Sequence, residues 1–432
     1  MKIKQLLACM VLCVSIPSWS LADENNGSSI EFKAPPKTSY RLGEHLWFGA
    51  DIVNAVEFND NYHLDSDADD HLLFIEPELR AVVAYTPAPG MQLFAELQLD
   101  GRKFLSQGEA SDEHAEGHIR IEQLYIDYTT SENTSVRVGR QRYQDARSWW
   151  YDDKIDALRA QWRHGYWSIE ATAARENAFT DDFAHGEAEV KIDYYMLSAG
   201  RVKGKRDQYT LFLMQKNDRN STKDEDPLLL GMQRVGEIGD NIRYWLDAAI
   251  ERGERRGRKI RAFGADGGFS LRFDGKWEPF VTIGLAYGSG DDHLSDGVDG
   301  NFRQTDIQDN EGRTFGITSY KYYGEISDFE LANLWVGTLG VGVRPSRNLT
   351  AELIYHRYRQ DEADDDLFDT DLEMEPVGKR VDLGQELDFV LGYRASDNLK
   401  LSVIVGVFDP GSAFAATANA AWLAKVKLAY RF

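Results

Sequence analysis

Polar and apolar residues alternate along much of this 432-residue chain. The pattern is cleanest over residues 422–432. Trp422, Ala424, Val426, Leu428, Tyr430 and Phe432 share one face of an extended strand, and Leu423, Lys425, Lys427, Ala429 and Arg431 share the other, because successive strand side chains point to opposite sides. The first face suits lipid, with aromatics at its edge; the second suits a wet lumen. Residues 91–100, 242–251, 386–394 and 399–407 alternate in the same way. Period two over about ten residues is the signature of a strand in a transmembrane barrel. One such run would also suit the last strand of a soluble sandwich. Their repetition from residue 45 onward favours the barrel.

The connections support this reading. Short turns are expected at 86–90, 130–134, 164–165, 203–206, 237–240, 274–276, 345–348 and 395–398, most of them carrying Gly, Pro, Asn or Asp, residues suited to tight turns. Longer polar stretches lie between them at 59–71, 102–117, 143–154, 175–188, 216–226, 252–258, 288–329, 359–383 and 409–419. Short periplasmic turns alternating with long external loops are expected of outer-membrane barrels. The sequence thus predicts an all-β chain, a transmembrane antiparallel up-and-down β-barrel of eighteen strands. Residues 313–325 are β-prone but are assigned to the longest loop, since one more strand would break the even count. Stretch 288–329 is a candidate to fold inward as a constriction or plug.

The amino terminus reads as an export signal. Lys2 and Lys4 precede a short apolar core over 6–16, and Ser20-Leu21-Ala22 offers small residues for cleavage. The expected organisation is a signal peptide at 1–22, a periplasmic arm at 23–44 and the barrel at 45–432. Cys9 and Cys13 both lie in the leader, so the mature chain is expected to have no disulfide or thiolate chemistry. Mean hydropathy is only −0.47, as expected when half of each strand faces water. The net charge of −22 is concentrated in segments such as 65–70, 361–366 and 369–375, which read as solvated external loops that can meet cations held by lipopolysaccharide.

Chemistry other than transport finds little support. There is no Gly-x-Ser-x-Gly nucleophile elbow and no His-Glu-x-x-His metal motif, so no catalytic residue, metal or cofactor is expected. An acidic chain is no nucleic-acid binder. The basic run 251–259 reads as a clamp for lipopolysaccharide phosphates or as a solvated loop. An eighteen-stranded barrel leaves a channel, so function rests on the lumen face. Alternation places there Glu78, Arg80, Glu96, Asp100, Asp127, Arg159, Asp193, Arg243, Asp247, Arg272, Asp388, Arg394, Lys425, Lys427 and Arg431. Arginine holds anions well because its planar fork binds a carboxylate at two points and keeps its charge.

One segment exceeds composition. Residues 138–159 interleave Arg140, Arg142, Arg147 and Arg159 with Asp145, Asp152, Asp153 and Asp156 around Trp149, Trp150 and Tyr151. Its rings could stack on sugars, or the segment could be a structural clasp with an interfacial aromatic belt. The Gly139-Arg-Gln-Arg, Trp149-Trp-Tyr-Asp and Asp156-Ala-Leu-Arg159 words resemble the alginate export porins. The resemblance implies a monomeric eighteen-stranded outer-membrane barrel. Its arginine-rich constriction would pass a polyuronate out of the cell with help from periplasmic secretion partners. Carried over by position, Arg140, Arg142, Asp156 and Arg159 are candidate pore-lining residues, followed by Arg80 and Asp193. Arg394 and Arg431 join them by alternation alone. The expected function is export of an anionic polysaccharide; the alternative is uptake of acidic oligosaccharides or small organic anions.

Overall fold

The computed structural model describes residues 36–65, 67–111, 113–179, 182–184, 192–202, 207–218, 225–293 and 295–432. The expected leader, residues 23–35 of the arm and the turn at 203–206 lie outside the described residues.

Eighteen long strands pair antiparallel, each with the next in sequence, from Leu46–Asp60 to Ala421–Arg431. These two end strands pair with each other from Asp51↔Arg431 to Asp60↔Trp422, which closes the sheet into a barrel. Closure matters because an unpaired edge in hydrocarbon would strand a row of backbone donors and acceptors. Two short pieces, Tyr40–Arg41 and Val298–Asp299, are added to the same sheet. The β-prone stretch in the longest loop forms only a two-residue pairing, Glu311–Gly312 with Tyr320–Lys321.

The alternation resolves as expected. Leu79, Val83, Leu124, Val138, Leu158 and Leu339 are exposed on the outside. Glu96, Asp247, Glu251, Asp266, Glu386 and Asp388 are buried within. On the last strand Trp422, Leu428 and Tyr430 are exposed, whereas Leu423, Ala429 and Arg431 are buried.

Strand length varies from 9 residues in Trp167–Arg175 to 17 in Leu72–Ala88. About 9–11 tilted residues cross a bilayer, so the tall strands stand beyond the hydrocarbon. This height overturns the expected loop at 252–258. Strands Ile242–Arg255 and Arg258–Arg272 stay paired up to Arg255↔Arg258. They are joined by Arg256 and Gly257, both at positive φ (50° and 76°), which is the backbone of a type I′ hairpin turn. The basic run is wall rather than loop, and its Arg255 points inward to Glu251 (2.6 Å) and Asp299 (3.0 Å).

The lumen is not an open tube. Phe302, Ile307, Tyr320, Tyr323, Phe329 and Leu331, all from residues 289–333, are buried inside, as are Trp149, Trp150 and Tyr151 from the loop 145–151. The longest loop therefore folds inward as a plug.

Candidate functional site

The plug is fastened along the height of the wall. Near its external end the Glu386 carboxylate accepts the N–H groups of Ile326 (2.8 Å) and Ser327 (3.1 Å), the Ser327 hydroxyl (2.8 Å) and the Tyr358 hydroxyl (3.2 Å). Deeper, the Ile317 N–H donates to Thr350 Oγ1 (3.0 Å), and the hydroxyls of Thr318 and Ser402 meet at 2.9 Å. Arg243 donates to the Thr314 carbonyl and lies over the Phe315 ring (4.6 Å to its centre). Thr350 is the second residue of the strand Leu349–Gln360, next to a periplasmic turn, so the plug reaches almost to the periplasmic end. Loop 361–381 packs on its outer side: Glu330 N–H donates to the Asp369 carbonyl (2.9 Å), and Leu372 is buried.

Within the plug, burial works against the Lys321 ammonium. Asp328 at 2.6 Å outweighs it and raises the pKa, with Asp309 also in contact at 3.1 Å. Burial, reinforced by Glu311, pushes the nearby Glu325 up to about 8. Glu330, buried and accepting the Gln304 N–H at 2.9 Å, is raised for the same first reason.

The Arg-Asp-Trp segment turns into the lumen instead of facing outward to sugars or lining an interface. Asp145 builds the turn by accepting the N–H groups of Arg147 (2.7 Å), Trp150 (2.7 Å) and Tyr151 (3.0 Å), together with Gln233 Nε2 (2.7 Å). Arg147 then bridges two wall carboxylates, Asp247 (2.5 Å) and Asp266 (3.0 Å), between the rings of Trp245 and Tyr322. Trp149 Nε1 donates to the Tyr323 hydroxyl (2.7 Å), which donates to Asp266 (3.1 Å). Gly231 and Gly264 leave room for the rings: a Cβ on either would collide with Trp150 or Phe302. The segment is thus a clasp between wall and plug.

Four of the eight expected pore residues do face the lumen. Arg80 contacts Asp51 and Glu78 (both 3.0 Å). Arg159 binds Glu170 (2.5 Å) and covers the Tyr143 ring. Arg431 holds Asp51 through two bonds (2.8 and 2.7 Å). Arg394 is the last residue of Asp382–Arg394, in phase with the buried Glu386, Asp388 and Val390.

The other four are corrected. Arg140 stands opposite Leu124 and Asp156 in register, two residues from the exposed Val138, while Asp156 is two residues from the exposed Leu158. Asp193 shares the side of the exposed Tyr195 and Leu197. All three are therefore on the outer face, above the apolar band. There they form a ladder with Arg175: Arg140–Asp156 (3.1 Å) and Arg175–Asp193 (2.6 Å) lie on strands joined by the Asp156↔Arg175 pairing. Residues 177–179 cover the ladder, with Arg140 donating to Asn177 Oδ1 (3.0 Å) and the Phe179 carbonyl (2.8 Å). Arg142 is at the external end of its strand, closed on Asp152 (2.7 Å).

Sequence reasoning missed Arg137, Arg344 and Lys400. Arg137 faces inward, bound to Asp127 (2.6 Å) over the Tyr125 ring (4.1 Å). Arg344 occupies the inward side near the end of Leu334–Ser346, where its guanidinium donates to the Arg347 carbonyl (3.1 Å). Alternation from the exposed Val341 could have found it. Arg344 lies within electrostatic reach of Glu278 and of Arg272, Arg394 and Arg243. Lys400 is similarly near Arg313 of the plug, Lys427 and Arg394, with Glu311 as an acidic neighbour. Neither Arg344 nor Arg394 has a carboxylate within ion-pair distance among the described residues, whereas Arg243 has Glu237 (3.1 Å) and Arg272 has Glu278 (3.6 Å). The periplasmic end of the lumen thus carries excess positive charge. The cavity left beside the plug is more balanced: Arg102 with Glu76 (2.8 Å), Arg120 with Asp100 (2.9 Å), and Lys425 with Glu57 (2.7 Å).

Comparison with known proteins agrees with this architecture. Residues 44–423 match the family described as alginate export. The alginate production protein AlgE of Pseudomonas aeruginosa is 24% identical over 342 residues, which cover 68% of this chain and 66% of that protein. AlgE of Azotobacter vinelandii is 32% identical over 140 residues, 31% of this chain and 28% of that protein. These matches span less than two thirds of either relative. Among solved structures, Pseudomonas aeruginosa OccK7 (OpdD) superposes with a TM-score of 0.58 at 13% identity, over 89% of this chain and 99% of that one. OpdK with vanillate, from the same organism, gives 0.58 at 12% identity over 89% and 98%. These likenesses show the porin-like barrel fold; together with the family match they point to an outer-membrane channel.

Proposed function

Because the chain belongs to the alginate export family, we propose that it conducts an anionic polysaccharide, an alginate-like polyuronate, from the periplasm to the cell exterior. The observation that carries this reading is the cationic cluster at the periplasmic end: Arg243, Arg272, Arg344, Arg394 and Lys400 of the wall with Arg313 of the plug. A polyuronate presents one carboxylate per ring. Arg344 and Arg394, which have no carboxylate within ion-pair distance among the described residues, lower the barrier for such a chain to enter. Elsewhere on the lumen wall Arg80, Arg159 and Arg431 already hold Asp51 or Glu170, so the polymer meets exchangeable partners rather than a trap. Conduction needs entry without capture. The acidic loop residues 361–366 and 369–375 then disfavour return at the external mouth. Delivery to the periplasmic end by a secretion partner, and action as a monomer, belong to the same proposal.

Reversal potentials and polymer block in planar bilayers test it. Block by polymannuronate and not by neutral dextran, lost when Arg344 and Arg394 become Glu, is the expected result. Equal block by dextran would refute it. The cavity beside the plug favours a second reading, uptake of small organic anions. OpdK, of the same fold, was solved with vanillate. Steady vanillate current with no effect of polymannuronate would favour that alternative.

A further inference from the structure

Outside the lumen, the wall carries a cluster of cations that the transport reading does not use. On the outer face of strands Ile242–Arg255 and Arg258–Arg272, Arg252 stands directly opposite Arg261, and Lys259 follows two residues later, opposite Glu254. The face is fixed by the neighbouring pair below, Ile250 opposite Phe263, both exposed. Like charges directly across a sheet pair repel. Among the described residues no acidic side chain forms an ion pair with either of them. Arg252 donates only to the main-chain oxygens of Glu251 (2.7 Å) and Ala262 (3.4 Å). Arg261 and Lys259 make no side-chain hydrogen bond or ion pair among the described residues. The acidic groups nearby, Glu254 and Asp226, share the rung of Lys259, one step above the Arg252–Arg261 pair, and line the outer side of the same cleft. Gln215 and Asn217 complete a shallow cleft around the cations.

The depth of the cluster is marked by aromatic rings. Phe263 touches Tyr287 (5.1 Å between centres) and Tyr287 touches Trp335 (4.3 Å). The Tyr287 hydroxyl and Trp335 Nε1 both donate to Asp361 (2.8 and 3.1 Å). Rings with an apolar body and one anchored polar end belong at the interface between acyl chains and head groups. Arg252, Arg261 and Lys259 are therefore at the height of the outer-leaflet head groups. Below them Leu230, Ile250 and Phe263 meet acyl chains.

We propose that this cluster is a binding site for the phosphorylated head group of lipopolysaccharide, with a lipid A phosphate between Arg252 and Arg261, Lys259 on its outer side, and the acyl chains on the apolar residues beneath. A phosphate accepts charge-assisted hydrogen bonds from both guanidinium groups and turns their repulsion into a bridge. The site is on the outer wall, so it stands whether or not a polyuronate passes through the lumen.

Native mass spectrometry of the full barrel in detergent tests it, with diphosphoryl lipid A, dephosphorylated lipid A and inorganic phosphate as separate probes. Diphosphoryl lipid A is expected to remain bound one to one. The Arg252→Gln/Arg261→Gln variant should bind it roughly thirtyfold more weakly, since each basic residue at a membrane surface contributes about 1 kcal/mol. The Arg234→Gln variant, changed on the outer face near the other membrane edge, should bind as the parent does. Retained heat-modifiable migration on gels shows that the variants are folded. If the double variant does not fold, Lys259→Gln serves, with a loss of about fivefold. Equal retention in folded variants, equal binding of dephosphorylated lipid, or full occupancy by inorganic phosphate alone would each overturn the site.

Discussion

Ser327 of the plug is bound twice to Glu386 of the wall, through its N–H (3.1 Å) and its hydroxyl (2.8 Å), and the same carboxylate takes the Ile326 N–H. Removing it strands two buried backbone donors at about 1–3 kcal/mol each. Glu386→Ala is therefore expected to free this part of the plug and raise single-channel conductance, with frequent large openings. Conductance and gating equal to the parent would show that these bonds do not hold the plug.

Arg147 neutralises two buried carboxylates, Asp247 and Asp266. Removing one partner of a buried ion pair typically costs about 3–5 kcal/mol, because the remaining charge stays buried. Arg147→Ala should lower the temperature at which the folded barrel loses its fast gel migration. Adding Asp247→Asn should restore part of the loss. Additive losses would argue against this pairing.

The space above Gly231 is filled by the Trp150 indole. Even one added methyl must displace the ring, and overpacking usually costs about 1–3 kcal/mol. Gly231→Ala should shift tryptophan emission to the red and expose the 145–151 loop to protease. Trp150→Leu in the same background should reverse the protease sensitivity.

Selectivity should separate the two faces of the wall. Arg344→Glu with Arg394→Glu is expected to reduce the anion preference measured from reversal potentials, with a smaller effect at high salt, where charges are screened. Arg140→Glu should leave selectivity unchanged, because its ladder faces outward. A shift from Arg140→Glu as large as that of the double variant would return Arg140 to the lumen.

The plug should also respond to pH. Burial raises Glu330, and Glu325 is pushed from the usual carboxyl range up to about 8. The plugged form therefore holds protons that a released plug would lose above about pH 4.5. Its advantage is complete below that value and falls as pH rises to about 8. Open probability should increase from pH 5 to pH 9, and Glu325→Gln should flatten the rise. A profile falling with pH would contradict this sign.

The wall was legible from alternation, because Leu124, Val138 and Leu158 announce the lipid side without any knowledge of contacts. The same alternation, followed two residues further, would have put Asp156 and Asp193 outside. Asp193 reads as lumen-facing because a polar residue on a strand does so when the strand is assumed to end with the bilayer, whereas Asp156 follows the family position and not the alternation. The inward fold of 289–333 was legible only as a candidate. Its anchors at Glu386, Thr350 and Asp266 pair residues 33 to 60 positions apart, and no local period records such distances. Trp149 and Trp150 look the same in sequence whether they bind sugar or pack a clasp; the space beside Gly231 decides it.

The surplus height of strands such as Leu72–Ala88 means that hydrocarbon thickness does not set the length of this barrel. Its upper third is a rigid polar collar among the sugars of the cell surface. Surface recognition can therefore act on paired strand backbone as well as on the loop tips.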